Sequence, residues 1–478
     1  MLFLIESETS VKASTDVIYV PDHYPTIQDA INHAGDRDTI FVRARTYYEH
    51  VVVNKSVSLV GEDRVSTIID GSSEGSVISI KANNVNISGF TIRHSGNEYS
   101  DSGIYVDHSS GNSISNNIIT DNNSGIGLFY SGNTVVSRNI ITNNNDGIIL
   151  IFFGNNVISG NTISSNDNYG IFFSSSGSNI VSGNTISSNN NYGMYLAFYS
   201  SNNAIYFNNF NNAHQVWSDS VNVWDDGDEG NYWSDYIGQD LNGDGIGDTA
   251  YVIDVNNQDM YPLMGTFSDF SITLEGKVHH VTTICNSTVS GFRFEVGLET
   301  GNKIVRFDVV GKNNTVWFCR IAVPTELMSY PYIVLIGAEE IVPTLLDVSN
   351  DTCGYLYFTS IHSSQTVTII SSKTLHLYNE LYSELLDKHL KLQTDLQNLN
   401  VTYHDLLINY NVLLSNYTQL QGNYQDLLSS YQEHLLDYFE NVHNVRNLMY
   451  VFAATAAIFI ITTIYLSKHA HAGKTSRR

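Results

Sequence analysis

The sequence is poor in cysteine, proline and positive charge. Its 478 residues include 3 Cys, 6 Pro and 23 Lys plus Arg against 48 Asp plus Glu, a formal net charge of −25. The cysteines all lie between residues 285 and 353, which excludes a scaffold built from disulfides. Two states of the cysteines agree with the sequence: one disulfide with a free thiol, or three reduced thiols. The charge disfavours nucleic acid and anionic lipid as partners and suits cations or neutral glycans, or serves solubility alone.

The N-terminus also lacks a long apolar segment. Met1 to Ile5 is followed at once by Glu6, which is too short for the core of a signal peptide. We interpret residues 1–16 as a remnant export signal or disordered chain, so that a truncated signal or a C-terminal helix directs export. Asn-x-Ser/Thr sequons fit an exported, glycosylated chain; they begin at Asn54, Asn86, Asn122, Asn286, Asn313, Asn350, Asn400 and Asn416.

One long uncharged run lies near the C-terminus. Residues 447–467, between Arg446 and Lys468, carry no formal charge, and about 20 apolar residues cross a bilayer. The tail at 468–478 is basic, which places it in the cytoplasm and the preceding chain outside the cell. The sequence therefore predicts a transmembrane helix at 447–467 and a single-pass cell-membrane protein. A buried helix of a soluble domain is the alternative.

Leucine and tyrosine follow a seven-residue period just before this run. Leucines recur every seven residues from Leu385 to Leu427, and tyrosines do so from Tyr403 to Tyr431. Two interleaved apolar positions in each heptad predict an α-helical coiled-coil stalk over 373–446, and with it a homo-oligomer of undetermined order. A single amphipathic helix packed on the ectodomain is the alternative.

Residues 73–213 repeat with a period of about 22 residues, which indicates a solenoid. The anchor of each repeat is an asparagine: Asn117, Asn139, Asn161, Asn184 and Asn208. Short apolar pairs separated by Gly, Asn and Ser flank each anchor, as expected of strands and turns. Each repeat is therefore one coil of a β-helix, and the asparagines first of all build its turns and stack from coil to coil.

Residues 17–72 and 214–265 should close the two ends of the solenoid, because an open apolar end would aggregate. Thr26-Ile-Gln-Asp-Ala-Ile31 and Lys55-Ser-Val-Ser-Leu-Val-Gly61 resemble the opening of pectin-active β-helix proteins. The whole of 17–265, with its Asn-x-Ile repeats and the ending Gly230-Asn-Tyr-Trp-Ser-Asp-Tyr236, resembles the NosD-type family of archaeal and bacterial surface proteins. That resemblance implies a right-handed parallel β-helix and a role for copper. The scattered His94, His108 and His214, with no cluster of Cys or Met, form no evident copper site.

Residues 266–372 lose the asparagine period and carry β-rich runs, which predict an antiparallel β-sandwich used as a spacer. This segment resembles the small β-sandwich that often follows NosD-type repeats, most closely from Gly311 to Val323. The predicted fold is therefore an all-β ectodomain, made of a right-handed parallel β-helix and an antiparallel β-sandwich. A coiled-coil stalk and one transmembrane helix follow it.

Aromatic side chains occupy outward positions of the repeats, where they could stack against sugar rings. We predict that they bind glycan, and the residues concerned are Tyr105, Tyr130, Phe152, Phe172 and Tyr195. The alternative is that the segment 214–265, which carries Trp217, Trp224 and Trp233, folds back and covers them.

Oxygen-bearing side chains alternate in the segment Asp240, Asn242, Asp244 and Asp248, with glycines between them, as in a loop that wraps calcium. Position twelve is Tyr251, where an EF-hand needs Glu, so this is not a complete EF-hand. An acidic turn without an ion is the alternative.

Catalytic candidates are weak. Asp101, Asp107 and His108 lie close together in sequence, but later coils carry no equivalent carboxylates, and Arg138 is the one Lys or Arg side chain at 103–212. The sequence therefore predicts a surface protein that binds carbohydrate or another envelope component, or acts in adhesion. A membrane-tethered polysaccharide lyase, hydrolase or epimerase is the alternative.

Overall fold

The computed structural model describes residues 16–297, 301–362, 365–371, 388–397, 413–440 and 445–474. The chain forms two compact units. The first ends at Asp269 and includes Thr282–Asn286; the second comprises Phe270–Val281 and the chain from Ser287 onward. The predictions for residues 1–15 and 475–478, and for much of the stalk, lie outside the described residues.

The first unit contains a parallel β-helix of about nine turns, built from three sheets that each receive one strand per coil. Sheet 1 contains Val17–Val20, Thr39–Val42, Ser58–Gly61, Asn86–Ser88, Ser113–Ser115, Val135–Ser137, Val157–Ser159, Ile180–Ser182 and Ala204–Tyr206. Sheet 2 contains Val51–Val53, Ile78–Ile80, Ser102–Asp107, Ser124–Phe129, Asp146–Ile151, Tyr169–Ser174, Tyr192–Ala197 and Val216–Ser218. Sheet 3 contains Thr46–Tyr48, Ile68–Asp70, Thr91–Arg93, Ile118–Thr120, Ile140–Thr142, Thr162–Ser164, Thr185–Ser187, Asn209–Asn211 and Tyr232–Trp233.

The repeat period sets the register of these sheets. Ile104 pairs with Ile126, which pairs with Ile148, so one aliphatic column runs through consecutive coils. All three side chains have no exposed surface, and burying a side chain of this size contributes about 1.5–3 kcal/mol. The predicted parallel β-helix is confirmed, because the 22-residue windows align as neighbouring strands.

Asparagines form continuous amide ladders inside the turns. In the ladder that contains Asn161, the Nδ2 of each residue donates to the Oδ1 of the residue one coil further on. The members of this ladder are Asn117, Asn139, Asn161, Asn184, Asn208 and Asn231. All are buried, so their amide groups satisfy each other where water cannot reach.

Both ends of the β-helix are closed. At the N-terminal end the helix α1 (Ile27–His33) begins at Thr26, whose hydroxyl accepts from the backbone N of Asp29, and it buries Ile27 and Ile31. At the other end Trp233 is 1% exposed and stacks between Phe210 and Tyr251, with ring centroids 4.5 and 4.2 Å away.

Two five-stranded antiparallel sheets follow the β-helix along the chain, and most of their strands belong to the second unit. One has the order Thr266–Leu274, Lys277–Cys285, Val316–Pro324, Cys353–Ile361 and Thr344–Leu345. The other has the order Thr288–Val296, Lys303–Val310, Gln365–Ser371, Tyr332–Ile336 and Glu339–Ile341. The predicted antiparallel sheets are confirmed, and Cys285, Cys319 and Cys353 are not joined in disulfides.

Among the described residues beyond the sheets, three segments are helical: α2 (388–397), α3 (Leu413–Glu440) and α4 (Val445–Lys474). On α3, Leu420, Tyr424, Leu427 and Tyr431 are each at least 52% exposed. In the part of the chain that the structure describes, no helix combines the length and the apolarity that a membrane crossing requires.

Candidate functional site

The outer face of sheet 2 carries a column of side chains, one from each coil. Register places Tyr105, Gly127, Ile149, Phe172, Tyr195 and Trp217 in this order. Four members are aromatic, and Trp217 is the last because its strand ends the sheet. The column therefore joins three of the predicted glycan-binding residues, Tyr105, Phe172 and Tyr195, to Trp217. The alternative interpretation of the sequence places this tryptophan in a covering segment.

The first half of this face is closed by its own side chains. Phe129 leans over Gly127, where an added Cβ would lie 2.7 Å from the phenylalanine ring. Ile149 is therefore only 2% exposed, although it points outward. Phe129, Ile149 and Ile151 form a small apolar cluster against which Tyr105 and Phe172 pack.

A loop raises one wall beside this cluster. In the coil that contains the strand Ser102–Asp107, the eight residues 94–101 connect sheet 3 to sheet 2. The corresponding connections in the next two coils have three residues each, 121–123 and 143–145. The loop is held by the Nδ2 of Asn123, which donates to the Glu98 carbonyl at 2.8 Å. Its tip carries Tyr99, which meets the edge of the Phe129 ring at a centroid distance of 6.4 Å.

The second half of the face is an aromatic ladder. The Tyr195 ring stacks between Tyr169 and Trp217, with centroids 4.9 and 4.4 Å away and interplanar angles of 25° and 13°. Rings stacked in this way cover each other's faces and turn their edges outward. Trp217 is 36% exposed, and its face away from Tyr195 contacts no other aromatic ring among the described residues.

A cleft of about 500 Å³ lies between the Tyr99 loop and this ladder. Its lining residues are Tyr99, Asp146, Ile149, Asn168, Tyr169, Phe172, Tyr195, Ala197, Phe198, Trp217 and Asp219. Aromatic rings with a few polar groups between them are typical of a ligand site. The cleft is thus the main candidate site of the β-helix.

Asp146 is the half-buried carboxylate of the cleft. Its Oδ1 accepts from Asn168 Nδ2 at 2.9 Å and from the backbone N of Tyr169 at 3.3 Å. Its Oδ2 has one long contact, 3.4 Å from Asn145 Nδ2. Burial raises the pKa of Asp146 and outweighs these hydrogen bonds, which lower it. Nothing in the repeat pattern of the sequence indicates that Asp146 is half-buried.

Asp219 fixes the opposite wall of the cleft. Its carboxylate accepts from the backbone N of Phe198 at 2.8 Å and of Tyr199 at 3.3 Å. Both aromatic residues have left-handed backbones, with φ of 54° and 64°, a conformation that is strained for bulky side chains. Asp219 therefore stabilises a turn that holds Phe198 at the cleft edge.

The other two predicted glycan-binding residues lie elsewhere. Tyr130 and Phe152 belong to the turns that follow sheet 2, where Tyr130 stacks between His108 and Phe152 at centroid distances of 4.7 Å. They form an exposed ridge and do not line the cleft. The structure thus divides the five predicted residues between two surfaces.

The weak catalytic candidates do not converge. Asp101 and Asp107 stand at opposite ends of one strand, about 20 Å apart at about 3.3 Å per residue. The Asp101 Oδ2 accepts from the backbone N of Glu98 within the loop, and Asp107 pairs with the exposed His108 at 2.6 Å.

The predicted calcium loop is closed by its own hydrogen bonds. Asp240 accepts from the backbone N of Gly243, Asp244 and Gly245, at 2.7 to 3.1 Å. Asn242 donates to Asp244, and Asp248 accepts from Leu241. Within the described ranges, no three His, Cys, Asp or Glu side chains are grouped so that they could hold a metal ion.

The three histidines named in the sequence analysis lie in separate surroundings in the β-helix. His94 contacts Asp70 at 3.0 Å, His108 stacks on Tyr130, and His214 lies against Tyr192. Copper sites combine several imidazole or sulfur ligands, whereas each of these histidines has a different set of neighbours.

Comparison with known proteins identifies the fold. The family described as periplasmic copper-binding protein (NosD) matches residues 31–238. Over these residues the β-helix resembles the NosD type. A cell surface glycoprotein of Methanothermus fervidus is 36% identical over 124 residues, 25% of this chain and 20% of that protein. The chain thus matches about a fifth of that relative's length.

Solved structures resemble the chain only distantly. The alginate lyase from Paenibacillus sp. str. FPU-7 is 14% identical, with 46% of this chain and 94% of that one covered and a TM-score of 0.32. The pectin methylesterase PemA from Erwinia chrysanthemi is 12% identical, with 45% and 91% covered and a TM-score of 0.28. Likeness at this level carries no inference about activity.

Proposed function

We propose that this chain is a cell-surface protein whose NosD-type β-helix binds carbohydrate in the cleft on sheet 2. The observation that carries the proposal is the cleft itself, with aromatic edges, one open indole face and a half-buried carboxylate. Sugars offer apolar C–H faces and hydroxyl groups, which such a lining complements. The name of the Methanothermus relative supports a location at the cell surface. Adhesion to a glycan-bearing envelope follows from the same binding.

Trp217 provides the test. We expect W217A in the full-length chain to lose binding on a glycan array, because it removes the open indole face. Y48A is the matched control, since Tyr48 is 72% exposed and lies on sheet 3. Equal binding by wild type, W217A and Y48A would contradict a site at this cleft.

An enzyme acting on polysaccharide is the second candidate, and Asp146 favours it. A carboxyl group with a raised pKa in a cleft is a frequent feature of catalytic acids. The full-length chain, incubated with polysaccharides that it binds, would then release new reducing ends or unsaturated sugars, and D146N would not. Binding without turnover would leave the first proposal alone.

The membrane anchor and the oligomeric stalk belong to the same proposal. The uncharged run at 447–467 and the basic tail support a single-pass helix with a cytoplasmic C-terminus. The exposed Leu420, Tyr424, Leu427 and Tyr431 support an association of several copies through α3. Carbonate extraction of membranes tests the anchor, and cross-linking of the full chain tests the oligomer. Release into the soluble fraction, or a monomer, would refute the respective claim.

We propose that the chain binds calcium, with ligands from Asp240, Asn242, Asp244 and Asp248. The alternating oxygens support it, and a cation would have to share or displace the hydrogen bonds of the loop. Copper is not proposed, because the histidines are dispersed. Isothermal titration of the full chain with calcium and with copper separates the two metals.

A further inference from the structure

The cleft is long in one direction. Its lining comes from four consecutive strands of sheet 2, from Asp146–Ile151 to Val216–Ser218 and the turn after it. Three steps between neighbouring strands make about 14 Å along the β-helix axis. A single sugar ring would fill only part of this length, so the shape fits a short oligosaccharide that lies across the strands.

The charges of the cleft all have one sign. Asp146 and Asp219 are its two ionisable carboxylates, and none of the lining residues is Lys, Arg or His. Recognition of a sugar carboxylate needs a cation or a fork of N–H donors. The lining offers neither, and a uronic acid would place a third carboxylate beside the two already present.

The carboxylates of the cleft accept hydrogen bonds, whereas the hydroxyls of Tyr99, Tyr169 and Tyr195 can both donate and accept them. Asp219 uses its oxygens on the backbone N of Phe198 and Tyr199 and on the Ser220 hydroxyl. Asp146 Oδ2 keeps only its long contact with Asn145. This oxygen accepts hydrogen bonds, so it suits a sugar hydroxyl, which can donate one. It does not suit an ionised sugar carboxylate, which only accepts.

We infer that the cleft selects a short neutral oligosaccharide laid along the β-helix axis, with hydroxyl groups on Asp146 and one ring against Trp217, and that it rejects uronic-acid chains. This inference rests on the proposed carbohydrate binding and adds the class of ligand. It makes Asp146 a determinant of specificity.

The test compares ligands of equal length on the full-length chain by isothermal titration. The neutral probes are cellotetraose, mannotetraose and chitotetraose; the acidic probes are tetragalacturonate and tetramannuronate, each with calcium and with a chelator. We expect at least one neutral probe to bind at least tenfold more tightly than either uronate. D146N should weaken the neutral probe several-fold and reduce the discrimination. D121N removes one exposed carboxylate outside the cleft and should change neither.

The outcomes distinguish a failure of the inferred ligand class from a failure of carbohydrate binding itself. If a uronate binds as tightly as the neutral probes, with or without calcium, the inference fails while carbohydrate binding stands. If D146N keeps the full discrimination, Asp146 does not set the specificity. If no probe of either class binds, both the inference and the proposed function are overturned.

Discussion

Asn161 lies in the middle of an amide ladder, so its removal measures how strongly the ladder holds the coils together. Its Nδ2 donates to Asn184 Oδ1 at 2.9 Å and to the carbonyls of Val136 and Ser159 at 2.9 and 3.2 Å. Its Oδ1 accepts from the backbone N and the Nδ2 of Asn139, at 2.9 and 3.0 Å. The residue is 1% exposed, so water cannot replace these partners.

The magnitude follows from the groups that N161A leaves behind. The backbone N of Asn139 loses its acceptor in the interior, which costs about 1–3 kcal/mol. The other side-chain bonds of Asn161 are lost with the amide, at about 0.5–1 kcal/mol each. We therefore expect N161A to lower the free energy of unfolding by about 3–7 kcal/mol, a large share of the stability of an ordinary domain.

Urea unfolding of the full chain, followed by circular dichroism, provides the measurement. N190A is the control, because Asn190 is exposed and its side chain makes only a 3.4 Å contact with Asp167. Exposed substitutions usually change stability by about 0.5 kcal/mol or less. An N161A variant no less stable than N190A would show that the aliphatic columns alone hold the β-helix and that the reasoning about the ladder is wrong.

Three further predictions concern other parts of the chain. Burial raises the pKa of Asp259 to about 6, above about 4 in the unfolded chain. Its contribution to stability is therefore present below pH 4 and is lost as pH rises through 6, by up to about 3 kcal/mol. Urea titrations at several pH values should show wild type losing this stability relative to D259N as the pH rises, and a constant difference would contradict the raised pKa. Mass spectrometry of the exported chain should find glycan on the exposed Asn313 and none on Asn122, whose Nδ2 is buried in hydrogen bonds to the Ile92 carbonyl and to Asn144 Oδ1. A glycan on Asn122 would contradict this second amide ladder, which continues from Asn122 to Asn144. Calcium should raise the melting temperature of wild type by a few degrees more than that of D244N, and equal shifts would remove the proposed site.

The sequence predicts the β-helix well because its signal is repeated. Asn117, Asn139 and Asn161 occupy equivalent positions, and the apolar residues beside them keep the same spacing, so register follows from the period alone. The cleft is predicted only in part. Outward alternation finds Phe172 and Tyr195, but Trp217 lies in the segment expected to cover them.

The missed features share a physical cause, which is that they depend on contacts between different coils. The burial of Asp146 results from the neighbouring coil, which places Asn168 and Tyr169 against it. The closed first half of the face depends on Phe129, whose ring leans over Gly127 of its own strand and packs against Ile149 and Tyr105 of the neighbouring coils. A single sequence shows these residues but not which side chains will meet, because turn length and side-chain direction decide that.

The candidate site arises where the repetition is interrupted. A perfectly regular β-helix would present the same outward side chain on every coil, and its surface would be a uniform ridge without a place for a ligand of defined length. Here one longer loop raises Tyr99, the small Gly127 admits Phe129, and the column ends at Trp217. These departures limit the cleft at both ends, whereas the inward columns stay regular because they must pack. Regularity can be restored on the outer face alone by shortening the loop 94–101 to three residues, the length used in the next coils. We expect this change to leave the urea midpoint nearly unchanged and to weaken binding of the neutral oligosaccharide. A loss of stability as large as the loss of binding would mean that the loop is part of the scaffold and not of the site.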